Sequence, residues 1–197
     1  MVNSADPVAT LFPNRLAAVI RWWSAEEAYQ AFLTAARSGM GSVEVTSGTP
    51  QAFELISRLR AEAGDSCAVG AGTITDSSLA ERAVASGAQY LVTPYLAPEV
   101  VPVARESGLL PVMGATTPSE IAQAVAAGAG LVKVFPAAPI GGPAYIQAVR
   151  GPRPDARSAS VGQRWCRDPG RCGLPQGGHT GGRPDQRPVP AGAALNA

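Results

Sequence analysis

One side chain in this sequence can do chemistry that no other can. Lys133 lies in Gly130-Leu131-Val132-Lys133-Val134-Phe135-Pro136 and is the only lysine of 197 residues; the fifteen other basic residues are arginines. The apolar run predicts a buried strand. Burying an ammonium is costly unless it is paired or gives up its proton. The plain alternative is a surface lysine on an edge strand, or one whose stem packs while its head reaches water. The apolar flanks favour a desolvated amine, whose characteristic reaction is Schiff-base formation with a carbonyl substrate. Glu44, in Ser42-Val43-Glu44-Val45-Thr46, is a carboxylate between two valines. It reads either as an interior acid paired with a cation such as Arg21, or as a general acid/base whose pKa is raised by burial.

Weaker signals accompany this pair. Thr73 ends Gly70-Ala71-Gly72-Thr73. The glycines allow close backbone approach to a ligand and the hydroxyl can bind a carboxylate, although many glycine turns are only turns. Thr93-Pro94, Met113-Gly114 and Phe135-Pro136 mark sharp chain exits. Gly141-Gly142 before Pro143 offers backbone amides at a predicted helix N-terminus, where an anion could sit.

These residues need elements to position them. Short apolar strands are predicted at 16–20, 42–46, 67–70, 89–93, 109–113 and 131–135. Helices are predicted at 25–37, from 50 to 63, from a cap at Asp76 to Gly87, at 98–107, from Thr117 to near Gly128, and at 143–150. Ser24 with Glu27, and Thr117-Pro118-Ser119-Glu120, carry capping-box signatures. Six strand-then-helix units therefore recur, and strands without clean alternation suit a parallel sheet buried on both faces. Right-handed crossovers of this length give a doubly wound sheet or a (β/α)8 TIM-type barrel. No dinucleotide glycine fingerprint follows the first strand, which favours the barrel. In a barrel, chemistry sits at the C-terminal rim of the strands, where Arg21, Thr73 and Pro94 fall.

Composition narrows the classes. The chain is 46% hydrophobic with a net charge of +1, the profile of one soluble globular domain with a real core. The near-neutral balance predicts no nucleic-acid or membrane-surface partner. No apolar run approaches the roughly 20 residues of a membrane span. The N-terminus lacks a signal pattern, and Cys67, Cys166 and Cys172 read as free thiols, so the cytoplasm is expected. A single histidine, His179, gives little support to a metal site or a serine–histidine triad.

Val43-Glu44-Val45-Thr46, Val69-Gly70-Ala71-Gly72-Thr73, Thr93-Pro94-x-Leu96, Thr117-Pro118-Ser119-Glu120 and Leu131-Val132-Lys133-Val134-Phe135-Pro136-Ala137 occur in that order. Together they resemble the class I 2-keto-3-deoxy-6-phosphogluconate (KDPG)/4-hydroxy-2-oxoglutarate (KHG) aldolase family, over about residues 14–157. The resemblance implies a (β/α)8 barrel, a cytoplasmic homotrimer, no cofactor or metal, and a small 2-keto acid as substrate. It also implies that Lys133 is the Schiff-base lysine, Glu44 the acid/base, and Thr73 the residue near the pyruvate carboxylate, with Pro94 in the matching site loop. Many members carry an arginine shortly after the glutamate; this chain reads Thr46-Ser47-Gly48-Thr49, and Arg21 is the candidate replacement.

The last third departs further. Residues 151–197 hold nine glycines, seven prolines and seven arginines in 47 residues, a composition without helical or strand periodicity. The family's Thr-Gly-Gly and Gly-x-Gly-Ser turns, which bind the substrate phosphate, follow strands; Gly177-Gly178 and Thr180-Gly181-Gly182 have no predicted strand before them, so neither is matched to those turns, and no Gly-x-Gly-Ser occurs after Arg157. The expected organisation is therefore about six barrel units over 1–157 and an irregular tail over 158–197, read either as a flexible tail or as the product of a reading frame slipped near Arg157 or Ser158. Translating the other two frames tests that. Two competing readings stand beside the aldolase: a damaged barrel that binds a keto acid weakly, and a phosphosugar epimerase or isomerase that does not need Lys133.

Overall fold

The computed structural model describes residues 6–150 and the strand at 160–162. Seven parallel strands form one sheet in sequence order: β1 (Ala18–Ile20), β2 (Ser42–Thr46), β3 (Ala68–Gly72), β4 (Tyr90–Val92), β5 (Leu110–Ala115), β6 (Leu131–Val134) and β7 (Ser160–Gly162). Each of the first six is followed by a helix: α2 (Ala25–Arg37), α3 (Ala52–Ala63), α4 (Ser77–Ala85), α5 (Val100–Glu106), α6 (Pro118–Ala126) and α7 (Gly142–Arg150). A short helix, α1 (Pro7–Leu11), precedes β1. Among the described residues β1 and β7 are the sheet's two edges, so this is an incomplete α/β barrel.

Local sequence sets most boundaries. The Ser24 hydroxyl accepts from the Glu27 N–H to start α2, and Asp76 accepts from the Leu79 N–H to start α4. Thr117 and Glu120 complete both halves of the predicted capping box of α6. Three expectations need correcting. Pro50 does not open α3, because Gln51 is left-handed (φ 55°) and the helix begins at Ala52. The Ala71-Gly72 stretch read as the exit of the third strand is part of β3, since Ala71 and Gly72 pair in register with Val45 and Thr46 and the ladder overrides the glycine's turn tendency. Finally, β7 lies beyond the expected end of the barrel units at residue 157, with Val132, Lys133 and Val134 opposite Ser160, Val161 and Gly162. The rest of the segment read as an irregular tail lies outside the described residues.

Apolar packing forms layers on both sides of the sheet. Val43, Val45, Val69, Ala71 and Leu91 share one cluster with Phe32, Ile56, Leu59 and other residues of the covering helices. The opposite faces of the strands supply Ala68, Tyr90, Val92, Leu110, Val112 and Leu131, which cluster with Phe12 just after α1. Phe12 meets Tyr90 edge-on at 4.9 Å between ring centroids. Thus α1, which the sequence did not announce, contributes Val8 and Leu11 to the packing inside the half-barrel.

Candidate active site

Alternation along β2 sends Val43 and Val45 to the helix layer and leaves Ser42, Glu44 and Thr46 on the inner face. The same alternation puts Lys133, between Val132 and Val134, on the inner face of β6. Strands β2 and β6 are four ladder steps apart, roughly 19 Å on a flat sheet. Yet Lys133 Nζ lies 3.4 Å from Glu44 Oε1. Only a curled sheet can join them, so the contact depends on the barrel's curvature rather than on either strand. Both side chains are nearly sealed from solvent, Glu44 at 6% and Lys133 at 9% exposure.

Burial pushes the Glu44 carboxyl above the ordinary carboxylate range. The charge and hydrogen bond of Lys133 oppose that shift, and so does the Arg21 charge. Space for the carboxylate comes from Gly72, where a Cβ would stand 2.0 Å from Glu44 Oε1. One strand position earlier on the same face, Gly70 makes room for the Tyr90 ring, whose nearest atom would be 2.2 Å from a Cβ. The two glycines of β3 therefore admit a ring below and a carboxylate above. Lys133 Nζ also lies 5.6 Å from the centre of the Phe135 ring.

The other expected residues divide. Arg21, exposed at the end of β1, is close enough to favour the charged form of Glu44. Thr73 follows β3 directly and is half-buried, with φ +58°. A β-branched residue in the left-handed region costs on the order of 1–3 kcal/mol. Pro94 follows β4, and its carbonyl carbon would be 2.4 Å from a Cβ on Gly114, so the glycine lets this loop lie against β5. Gly141 and Gly142 do not offer free amides: their N–H groups donate to the carbonyls of Ala138 (3.4 Å) and Ala137 (2.8 Å). The anion site expected there is thus taken up by the chain's own turn.

Several rim hydroxyls went unnoticed in the sequence. The Ser47 hydroxyl donates to the Thr73 carbonyl at 2.8 Å. The Gly114 N–H donates to Thr93 Oγ1 at 2.9 Å. The Thr116 hydroxyl donates to the Phe135 carbonyl, and that of Tyr145 to the Thr116 carbonyl at 2.6 Å. Each partner lies some twenty to thirty residues away in the chain, on a neighbouring unit, so only the small polar residues at strand ends could have hinted at them. Among the described residues no group of three histidine, cysteine or acidic side chains could hold a metal, and no helix is long and apolar enough to cross a membrane.

A family model for KDPG and KHG aldolase matches residues 9–163, which include both members of the buried pair. The chain belongs to the KDPG and KHG aldolase family. Among its relatives within that family, a probable 2-dehydro-3-deoxy-6-phosphogalactonate aldolase of Rhizobium meliloti is 33% identical over 148 residues, 75% of this chain and 69% of that protein. A 2-dehydro-3-deoxy-phosphogluconate aldolase of Treponema pallidum is 36% identical over 124 residues, 63% of this chain and 59% of that protein. The structure is similar to that of a KDPG aldolase from Legionella pneumophila, solved with pyruvate captured as a covalent carbinolamine. That likeness has a TM-score of 0.67 at 25% identity and covers 81% of this chain and 76% of the other. The matches thus span 59–76% of these aldolases' own lengths.

Proposed function

We propose that the chain is a Schiff-base aldolase that cleaves a KDPG- or KHG-type 2-keto acid to pyruvate and an aldehyde. The observation that carries this is the buried amine–carboxylate pair, Lys133 and Glu44, 3.4 Å apart inside the half-barrel. Neutral Lys133 adds to the C2 carbonyl, and Glu44 shuttles protons as the carbinolamine loses water. The resulting iminium is the electron sink, so no metal or other cofactor is needed. Glu44 takes the C4 hydroxyl proton as the C3–C4 bond breaks; the bonding pair moves into the iminium, giving an enamine, and the aldehyde leaves. Glu44 returns the proton to C3, and water then hydrolyses the iminium to pyruvate and free Lys133. Such proton transfer is worth roughly 10²–10⁴-fold in rate. Thr73 and Arg21 hold the substrate carboxylate, and Pro94 shapes the adjoining loop. The family likeness supports a cytoplasmic homotrimer.

Pyruvate with borohydride tests the mechanism. Hydride reduces the C=N bond and leaves a stable secondary amine, expected as an added mass on the peptide containing Lys133. Lys133→Ala should abolish it. A folded wild-type chain that gains no mass refutes the mechanism. The match to the family model ends at residue 163 of 197, which favours a second reading: a barrel that forms the pyruvate adduct but cleaves phosphorylated substrates poorly. A full adduct yield with little pyruvate released from KDPG would select it.

A further inference from the structure

The strained conformation of Thr73 is held from both sides. On one side the Ser47 N–H donates to the Gly72 carbonyl at 2.8 Å and the Ser47 hydroxyl to the Thr73 carbonyl at 2.8 Å. On the other, the Ile74 N–H donates to the Val92 carbonyl at 3.1 Å. The two peptide units flanking φ +58° are thus fastened to the ends of β2 and β4. Backbone bonds of this kind belong to any sheet ladder, but the bond from the Ser47 side chain does not. It reaches the carbonyl of the one residue in β3's exit whose conformation is unfavourable. Ser47 itself is half-buried and directly follows Thr46, two positions beyond Glu44 on β2. One serine therefore ties the strand that carries Glu44 to the turn that presents Thr73.

We propose that Ser47 is a positioning residue for binding the substrate carboxylate: its hydroxyl holds Thr73 in the left-handed conformation from which the threonine meets the 2-keto acid. This rests on the reading of Thr73 as the carboxylate's partner. Ser47 touches neither Lys133 nor the reacting carbonyl, so it acts on affinity and leaves the chemical step alone. Without its bond Thr73 relaxes towards an ordinary φ, and the bound geometry must be regained each time a keto acid enters. A side-chain hydrogen bond of this kind is worth about fivefold in an equilibrium constant.

The test is borohydride trapping on the full chain across pyruvate concentrations, read as half-saturation and plateau. Ser47→Ala is expected to raise the half-saturating concentration about fivefold and leave the plateau unchanged, while Ser47→Thr, which keeps the donor, stays near wild type. Ser57→Ala removes a comparable remote bond, from the Ser57 hydroxyl to the Ser86 carbonyl at 3.0 Å. It should lower Tm without moving half-saturation. Ser47→Val set against Ser47→Thr repeats the comparison at equal side-chain volume. If Ser47→Ala and Ser47→Val bind pyruvate within twofold of wild type while losing Tm like Ser57→Ala, Ser47 is structural only and the proposal fails. If wild type itself traps no pyruvate, the aldolase reading fails first, and the role of Ser47 with it.

Discussion

Replacing Gly72 by alanine should separate activity from stability. A Cβ at this position would lie 2.0 Å from Glu44 Oε1, 2.6 Å from its Cδ and 2.7 Å from its Cγ. Gly72 has no positive φ, so alanine strains no backbone dihedral. The clash falls on the end of a flexible side chain, and Glu44 must retreat by at least 1 Å to restore even a 3.0 Å contact. Overpacking of this kind costs about 1–3 kcal/mol, which for a chain of this size lowers Tm by about 2–12 °C. The effect on chemistry should be larger. The carboxylate leaves the position where it lies 3.4 Å from the lysine, and a 1 Å misplacement of a reacting group can cost about 100-fold. Pyruvate release from KDPG should therefore fall by about 100-fold or more, while Tm and circular dichroism show a folded protein and borohydride still marks Lys133. Gly70→Ala is the contrast. Its Cβ would meet the Tyr90 ring, which Phe12 backs at 4.9 Å, so it should unfold the chain rather than silence it. A Gly72→Ala variant that turns over within fivefold of wild type would refute the placement of Glu44 in the reaction.

Two further predictions concern buried polar groups. Glu44 has a folded pKa above the ordinary 4.5, so its contribution to stability is whole below pH 4.5 and is lost as pH rises through the raised folded value. Measured against Glu44→Gln by urea midpoints from pH 4 to 8, wild type should lose up to about 1.4 kcal/mol per pH unit in that window and level off above it. The rising limb of its pyruvate-release profile should lie in the same window; parallel stability curves would contradict the burial argument. Tyr90→Phe removes the 2.9 Å bond between the Tyr90 and Ser42 hydroxyls and strands a buried serine. It should cost about 1–3 kcal/mol in denaturant titrations with the trapped-adduct yield unchanged, and a lost adduct would place Tyr90 in the chemistry.

Much of the architecture could be read locally. The capping residues Ser24, Asp76 and Thr117 mark their helices because a cap needs only its own first turn. The isolation of Lys133 among fifteen arginines, and of Glu44 between two valines, singled both out. Where sequence reading went astray, a distant partner decided. Ala71 and Gly72 read as the exit of a strand but continue it, because Val45 and Thr46 pair beside them. Ser160–Gly162 lacked any periodic signal, and β6 recruits it through the ladder. Gly141 and Gly142 looked like an open anion cradle until the Ala137 and Ala138 carbonyls claimed their amides.

Residue type and apolar flanks were enough to put an amine and a carboxylate on buried strands and to say what each could do chemically. They could not say that the two meet. Lys133 and Glu44 are 89 residues apart in the chain and four ladder steps apart in the sheet, and no local propensity measures curvature. The curl of the sheet, the gap at Gly72 and the Ser47 bond to the Thr73 carbonyl arise from packing between units. They turn two unusual residues into a single site.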